Sequence, residues 1–431
     1  MQKQYRCGTI FIMRNGIHLK KLILWILYDF ANSFAFITFF LYYSQWLVVD
    51  RGISDFWFNM TFVGSSLLFI LTVPVASLII DKIKIRIPGL RVVTILAIVF
   101  FAATALIALF APDYYIISII TLSFAEYFYL FSFTFYNPLL REVATPEKQG
   151  LASGWGQFGN WIGEITGLLV AIPFATGAIT LLGGAGRAQT LLPATILFTI
   201  FAIPLLLFFK EESKKIETKI NIASEYKNVF RSFINLCKSP GVGLFFLSYF
   251  FFNDAVTTAS NNFPIYVEAV FGSSDNIKSY LLIGILISSA ISAPISGWIA
   301  DKVGLRKTLW WVLGGWAIIF PAMAITTNFT VFVAVCIAMG LWFGSIWTVT
   351  RAYLLQLTPP EMITQSFTYY TLMERLATLV GPISWGLVVA SLPTSGAFNY
   401  RMAAMVMALL VIIGLFFARK LPKTKTEMKS I

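Results

Sequence analysis

The chain has 431 residues, of which 58% are hydrophobic and only 12% charged, with a mean hydropathy of +0.78, whereas soluble domains carry about a quarter charged residues. That composition excludes a soluble enzyme or binding module and describes an integral membrane protein. The formal charge of +12 is no nucleic-acid footprint, because the basic residues gather on alternate loops: twenty-six on one side of the membrane, against Arg51, Arg187, Lys278 and Arg401 on the other.

The N-terminus is basic, but the apolar run beginning at Lys21 is longer than a signal-peptide core and no small-residue cleavage site follows it, so it reads as a retained first span. A helix needs roughly 20 mostly apolar residues to cross the hydrocarbon core. Apolar runs broken by Gly, Pro or charge clusters predict spans at about 22–48, 56–80, 91–111, 114–138, 151–174, 190–209, 240–271, 277–299, 308–327, 330–353, 363–391 and 399–418. Twelve helices result. In lipid only helices or closed barrels satisfy their own backbone groups, and these runs are too long and continuous for barrel strands. Lysine and arginine resist translocation, which predicts that the basic side and both termini are cytoplasmic, in a cell membrane.

Between spans six and seven lies KEESKKIETKINIASEYKNVFRSF, residues 210–233. Its charge density reads as a solvated connector between two halves, with a basic amphipathic helix on the inner leaflet as the alternative for its last part. The halves repeat. Pro74, Ile79, Asp81, Lys82 and Arg86 recur at one constant offset as Pro294, Ile299, Asp301, Lys302 and Arg306; Leu140, Pro146, Glu147 and Gly167 recur at a second as Leu354, Pro360, Glu361 and Gly381. The predicted fold is therefore an all-α membrane protein of two pseudo-symmetric six-helix bundles, residues 1–209 and 240–431, joined by a linker at 210–239. This is how a secondary transporter builds two bodies that rock about a central site.

The spans carry polar residues that lipid would reject. Asp254, Thr257, Thr258 and Asn261 stand at i, i+3, i+4 and i+7 in span seven and share one helix face. Asp29, Asn32 and Ser33 form the equivalent stripe in span one. The two stripes predict a shared aqueous cavity near the midplane. Glu126 in span four, Asn160 and Glu164 in span five, Arg351 in span ten, and Glu374 with Arg375 in span eleven complete the candidate set. Glu126, Asp254 and Asp29 are candidates for proton coupling. Arg351 and Arg375 are candidates to grip an anionic group such as a substrate carboxylate, because a guanidinium binds it bidentately. Glu374 and Arg375 are adjacent and point about 100° apart, so one is expected to line the cavity and the other to brace a neighbouring helix. For each acid the bland alternative is a static ion pair or hydrogen bond that locks two helices. Tyr129, Tyr136, Trp161, Trp347 and Tyr370 are candidates for a solute cage, with ordinary packing as the competing reading.

Two glycine-rich motifs are decoys. GWGQFG at Gly154–Gly159 fits a dinucleotide pattern but has no preceding strand and lies inside a span. Its continuation through Gly163 and Gly167 is a small-residue ladder for close helix contact. GGAGR at Gly183–Arg187 lacks the lysine and hydroxyl of a phosphate loop. Cys7, Cys237 and Cys336 have no metal-ligand spacing, and His18 is the lone histidine. No metal, cofactor or nucleic-acid partner is expected, nor is enzymatic activity; the partners expected are a small-molecule substrate, protons and the bilayer, with the chain working as a monomer.

The segment GWIADKVGLRK, Gly297–Lys307, resembles the loop signature of the major facilitator superfamily, and SLIIDKIKIR is a weaker first copy with Ser77 and Lys84 where glycine is usual. By that resemblance Asp81, Arg86, Asp301 and Arg306 form a cytoplasmic gate that holds the bundles in one state and releases them in the other. WILYDFANSFAF, YNPLLREVATPEKQGLASGWGQFGNWIG, FFNDAVTT, TRAYLLQLTPPE and the later Gly381–Pro382 pair resemble the vacuole-effluxer-like, or ultraviolet-induced facilitator, branch. That branch includes an autophagy-related exporter of amino acids from the yeast vacuole. The resemblance implies that spans one, four, seven and ten line the cavity, and it implies alternating-access transport. A small polar organic solute such as an amino acid, moved with protons, is the first expectation; an exporter of hydrophobic or cationic compounds is the alternative.

Overall fold

Apolar helices dominate this computed structural model, which describes residues 13–14, 16–182, 184, 186–212, 222–376, 380–391 and 396–423. Among the described residues twelve helices are long and apolar enough to cross a bilayer: Leu19–Asp50, Trp57–Ile83, Ile87–Phe110, Pro112–Val143, Pro146–Ala175, Arg187–Phe208, Val242–Phe271, Ile277–Val303, Leu305–Ile325, Phe329–Leu357, Pro360–Ala390 and Ala397–Arg419. They are numbered here as spans 1 to 12. Each overlaps its predicted position, and most run further at the ends. Polar first and last turns hide an end from a hydropathy reading but do not stop the backbone ladder. The 29-residue helix of span 10 is about 44 Å long at 1.5 Å per residue, so it tilts or projects beyond a core of about 30 Å.

The long helices are shaped by specific residues. Span 1 loosens into π-type turns at Phe39–Tyr43 and Trp46–Asp50. Pro74 and Pro294, related by the internal repeat, lie within the helices of spans 2 and 8. Each removes one ladder hydrogen bond, and Ser77 Oγ donates to the Pro74 carbonyl at 2.7 Å. Span 11 consists of Ile363–Leu376 and Val380–Ser391, with residues 377–379 outside the described set.

Spans 1 to 6 pack before the linker and spans 7 to 12 after it. The glycine ladder of span 5 works as its spacing predicts. A Cβ on Gly159 would meet Ile26 Cγ2 at 2.7 Å, and one on Gly167 would meet the Phe34 carbonyl at 2.9 Å. Span 5 therefore lies directly on span 1, and no dinucleotide loop exists there. The halves meet where span 5 packs against spans 8 and 10 and where spans 2 and 4 pack against span 11. The linker contains a helix, Ile222–Lys238, in place of the solvated connector expected. Of the remaining sequence features, Cys7, residues 213–221 of the linker, Gly183, Ala185 and the tail at 424–431 lie outside the described residues.

Candidate functional site

At the linker-side ends of the spans, the two bundles hold each other through reciprocal helix caps. Asp81 at the end of span 2 accepts from the backbone amides of Thr364 and Gln365, each at 3.0 Å, at the start of the first helix of span 11. Asp301 at the end of span 8 accepts from the amides of Gly150 and Leu151 at 2.8 and 2.9 Å, in the first turn of the span 5 helix. A carboxylate at a helix N-terminus satisfies orphan N–H groups and meets the positive end of the helix dipole. Here each carboxylate belongs to the opposite bundle. Gln356 Nε2 adds a bond to the Pro146 carbonyl at 2.6 Å.

The arginines of the two motif copies differ. Arg86 is buried beside Asp81, with Nη2 3.7 Å from its carboxylate, and also reaches Thr364 and Glu211. Arg306 instead donates to the Arg419 carbonyl at 2.9 Å and stacks on Trp310. Arg86 thus braces the seam, while the Arg306 bond ties spans 9 and 12 within a bundle. Lys84 takes a positive φ of 61° before Arg86, whereas the second copy has Gly304 at the same place, opening directly into the span 9 helix.

Deeper in the seam, Arg351 Nη1 donates to Asp29 Oδ2 at 3.1 Å, Nη2 to the Ser153 carbonyl at 2.8 Å and Nε to Ser153 Oγ at 3.0 Å. Its guanidinium lies 4.4 Å over the Trp25 ring. Trp25 stacks on Tyr136 at 5.0 Å, and Tyr136 donates its hydroxyl to the Trp25 carbonyl. Arg351 is thus engaged on every nitrogen and does not present an open fork to a carboxylate. It bolts span 10 to spans 1 and 5.

A second cluster stands beside this bolt. Glu126 is 1% exposed and, among the described residues, its Oε2 has no hydrogen-bond partner; the charge of Arg375, on the other bundle, acts on it. Glu374 accepts from Tyr249 Oη at 2.6 Å, and Tyr249 stacks on Tyr370 at 4.3 Å. Of the two adjacent residues of span 11, Glu374 is used against span 7 of its own bundle. Glu164 is half-buried and acts electrostatically on Asp29 and Tyr129. Thr134 and Thr368 join spans 4 and 11 at 3.3 Å.

The span 7 stripe does not act as one surface. Asp254 and Thr258 are buried, Thr257 is half-buried and Asn261 is exposed. Asp254 Oδ2 accepts from the Gly381 amide at 2.5 Å, in the first turn of the second helix of span 11. The bland reading of Asp254, a hydrogen bond that locks two helices, describes this contact. In the span 1 stripe, Asn160 donates to Ser33, tying spans 5 and 1, and Asn32 is buried beside it. Of the expected cage aromatics, Trp161 and Trp347 meet at 5.9 Å across spans 5 and 10 with Phe343 between them. Tyr129 stacks on Phe36 at 5.6 Å.

Sequence reasoning missed Trp25, Ser153, Tyr249, Thr364 and Gln365. Trp25, at i−4 from Asp29, had a legible signal; the others depend on which helices the fold brings together.

The Major Facilitator Superfamily profile matches residues 24–289 and 245–430. The chain belongs to that superfamily. Among relatives, an uncharacterized MFS-type transporter of Bacillus subtilis, YxiO, is 21% identical over 94% of this chain and 95% of its own length. An uncharacterized protein of Aquifex aeolicus is 23% identical over 66% of this chain and 68% of its own. The multidrug resistance protein MdtG of Proteus mirabilis is 23% identical over 58% of this chain and 61% of its own. In fold, this major facilitator chain is similar to the E. coli fucose:proton symporter FucP in its outward conformation, with a TM-score of 0.71 at 15% identity, covering 93% of this chain and 97% of that one. It is also similar to the human organic anion transporter MFSD10, with a TM-score of 0.73 at 10% identity, covering 93% and 99%. Major facilitator proteins are transporters and not enzymes.

Proposed function

We propose that this major facilitator protein is a proton-coupled secondary transporter of a small polar organic solute bearing a positively charged amino group, with amino acids the first class to test. The observation that carries the reading is the charge of the central cluster. Asp29 and Arg351 neutralise each other, which leaves Glu126, Glu164 and Glu374 against Arg375. An uncompensated charge in a poorly solvated membrane site is costly, so the site favours cations, either protons on the glutamates or an ammonium group on the solute. In this reading Arg375 is assigned to a substrate carboxylate. Motifs shared with the vacuole-effluxer-like branch support the amino-acid class. The excess of basic residues supports a cytoplasmic linker side with both termini inside a cell membrane. In this reading residues 1–209 and 240–431 move as two bodies about residues 210–239, within one chain.

A second reading, export of hydrophobic cations, is favoured by aromatic clusters in the spans: Trp161, Phe343 and Trp347, and Tyr129 on Phe36. Aromatic faces attract cations that lack a carboxylate. A relative named for multidrug resistance supports it.

The test is uptake into proteoliposomes with an imposed pH gradient, using a panel of amino acids and aromatic amines. The expected result is gradient-driven accumulation of an amino acid, which Glu126→Gln reduces to simple equilibration. Accumulation that ignores both the gradient and Glu126→Gln overturns the coupling; transport of aromatic amines alone selects the second reading.

A further inference from the structure

The linker helix, Ile222–Lys238, is divided lengthwise into three sectors at about 100° per residue. One faces protein. Glu225 is 5% exposed and accepts from Lys82 Nζ at 2.5 Å; Leu236 is fully buried, Phe233 packs on Tyr369 at 4.6 Å, and Ser232 Oγ donates to Gln365 Oε1 at 2.5 Å. The next sector is apolar and uncovered. Tyr226, Phe230 and Ile234, spaced i, i+4 and i+8, are 53%, 73% and 38% exposed. The third is basic: Lys227, Arg231 and Lys238 are all exposed.

We propose that this helix lies in the leaflet on the linker side and binds anionic phospholipid headgroups, thereby clamping the seam between the bundles. Two observations select the bilayer as the occupant of the uncovered face. Tyr226 Oη donates to the Leu71 carbonyl at 3.2 Å, and Leu71 is itself 63% exposed on span 2, twelve residues before that helix ends. The apolar sector is therefore continuous with surface that faces acyl chains. The basic sector runs beside the apolar one for the length of the helix, the arrangement that sets side chains into acyl chains and charges among phosphates.

The clamp follows from what the protein-facing sector touches. Gln365, held by Ser232, donates its backbone amide to Asp81, and Lys82, held by Glu225, follows Asp81 in sequence. One end of the helix thus grips the first bundle and the other end grips the second, on both sides of the same cap. Anionic lipid that seats the helix more firmly secures the Asp81 contact with it.

The experiment uses the full chain with Cys7→Ser, Cys237→Ala and Cys336→Ala, and a nitroxide on Phe230→Cys, in vesicles of phosphatidylcholine alone or with phosphatidylglycerol. In the mixed vesicles the label is expected to collide with oxygen and be shielded from an aqueous nickel complex. Hydrogen exchange at the Thr364 and Gln365 amides is expected to slow when phosphatidylglycerol is added. Lys227→Ala, Arg231→Ala and Lys238→Ala together should remove that slowing, each by about fivefold in the seating equilibrium; these exposed residues are outside the core. A label open to the nickel complex in mixed vesicles overturns the proposal and leaves the face to a soluble partner. A shielded label with exchange identical in the two lipids, or unchanged in the triple variant, overturns the anionic clamp.

Discussion

Asp29 and Arg351 are 1% and 3% exposed, and their energetics differ from those of a surface ion pair. Removing one member leaves the other charged, buried and unpaired, which costs about 3–5 kcal/mol, whereas replacing both with apolar residues of similar size is often neutral. Asp29→Asn is therefore expected to lower the unfolding temperature in detergent sharply, and Asp29→Leu with Arg351→Met to recover most of the loss; equal loss in both would show that the pair is no unit. Lys21 makes the opposite case. Its Nζ donates to Glu212 at 2.7 Å and holds that carboxyl below the usual glutamate range. A depressed carboxyl stabilises the folded form above the ordinary glutamate value, and that contribution is lost as pH falls through the depressed one. Because Glu212 is 70% exposed, the effect is small and screened by salt. Glu212→Gln should therefore alter acid unfolding slightly at low ionic strength and not at high.

Between helices, small residues set how closely the halves approach. A Cβ on Gly150 would meet the Gly297 carbonyl at 2.6 Å and Asp301 Oδ1 at 2.5 Å, so the backbones of spans 5 and 8 touch where the Asp301 cap forms. Gly150→Ala is expected to push them apart and open the linker-side seam while each bundle stays folded. Faster hydrogen exchange at Leu151, with exchange in the Gly159–Gly167 ladder unchanged, is the corresponding measurement; faster exchange along the whole of span 5 would point to misfolding. The ladder itself was legible, because three glycines at i, i+4 and i+8 in a span have few other uses. The linker helix was only half legible. Its alternation of Tyr, Lys, Phe, Arg and Ile indicates amphipathicity, but a seat against spans 2 and 11 is a property of the assembled seam.

Across the molecule, the hydrogen bonds described between the bundles gather in the linker-side half, from Asp29–Arg351 to the Asp81 and Asp301 caps. These contacts hold the two bundles together on that side. Capping carboxylates are each worth about 1 kcal/mol relative to alanine, so Asp81→Ala with Asp301→Ala should move the closed–open balance by about 2 kcal/mol, a shift of roughly thirtyfold. Nitroxides on the exposed Glu147 and Lys307 would report it as a longer distance population. An unchanged distribution would mean that Arg351 and its partners hold the seam alone.

The sequence by itself determined twelve spans, their internal repeat and the presence of acids within the membrane, because hydrophobic length and helical spacing are local properties of a chain. It also placed Asp81 and Asp301 at equivalent helix ends of the two halves, since a repeated motif carries its own position. It did not determine that Arg351 would take Asp29, 322 positions away, that Arg306 would turn to span 12, or that Asp254 would meet Gly381. Those choices rest on the rotation and depth of one helix against another, and only close packing of the two bundles fixes them.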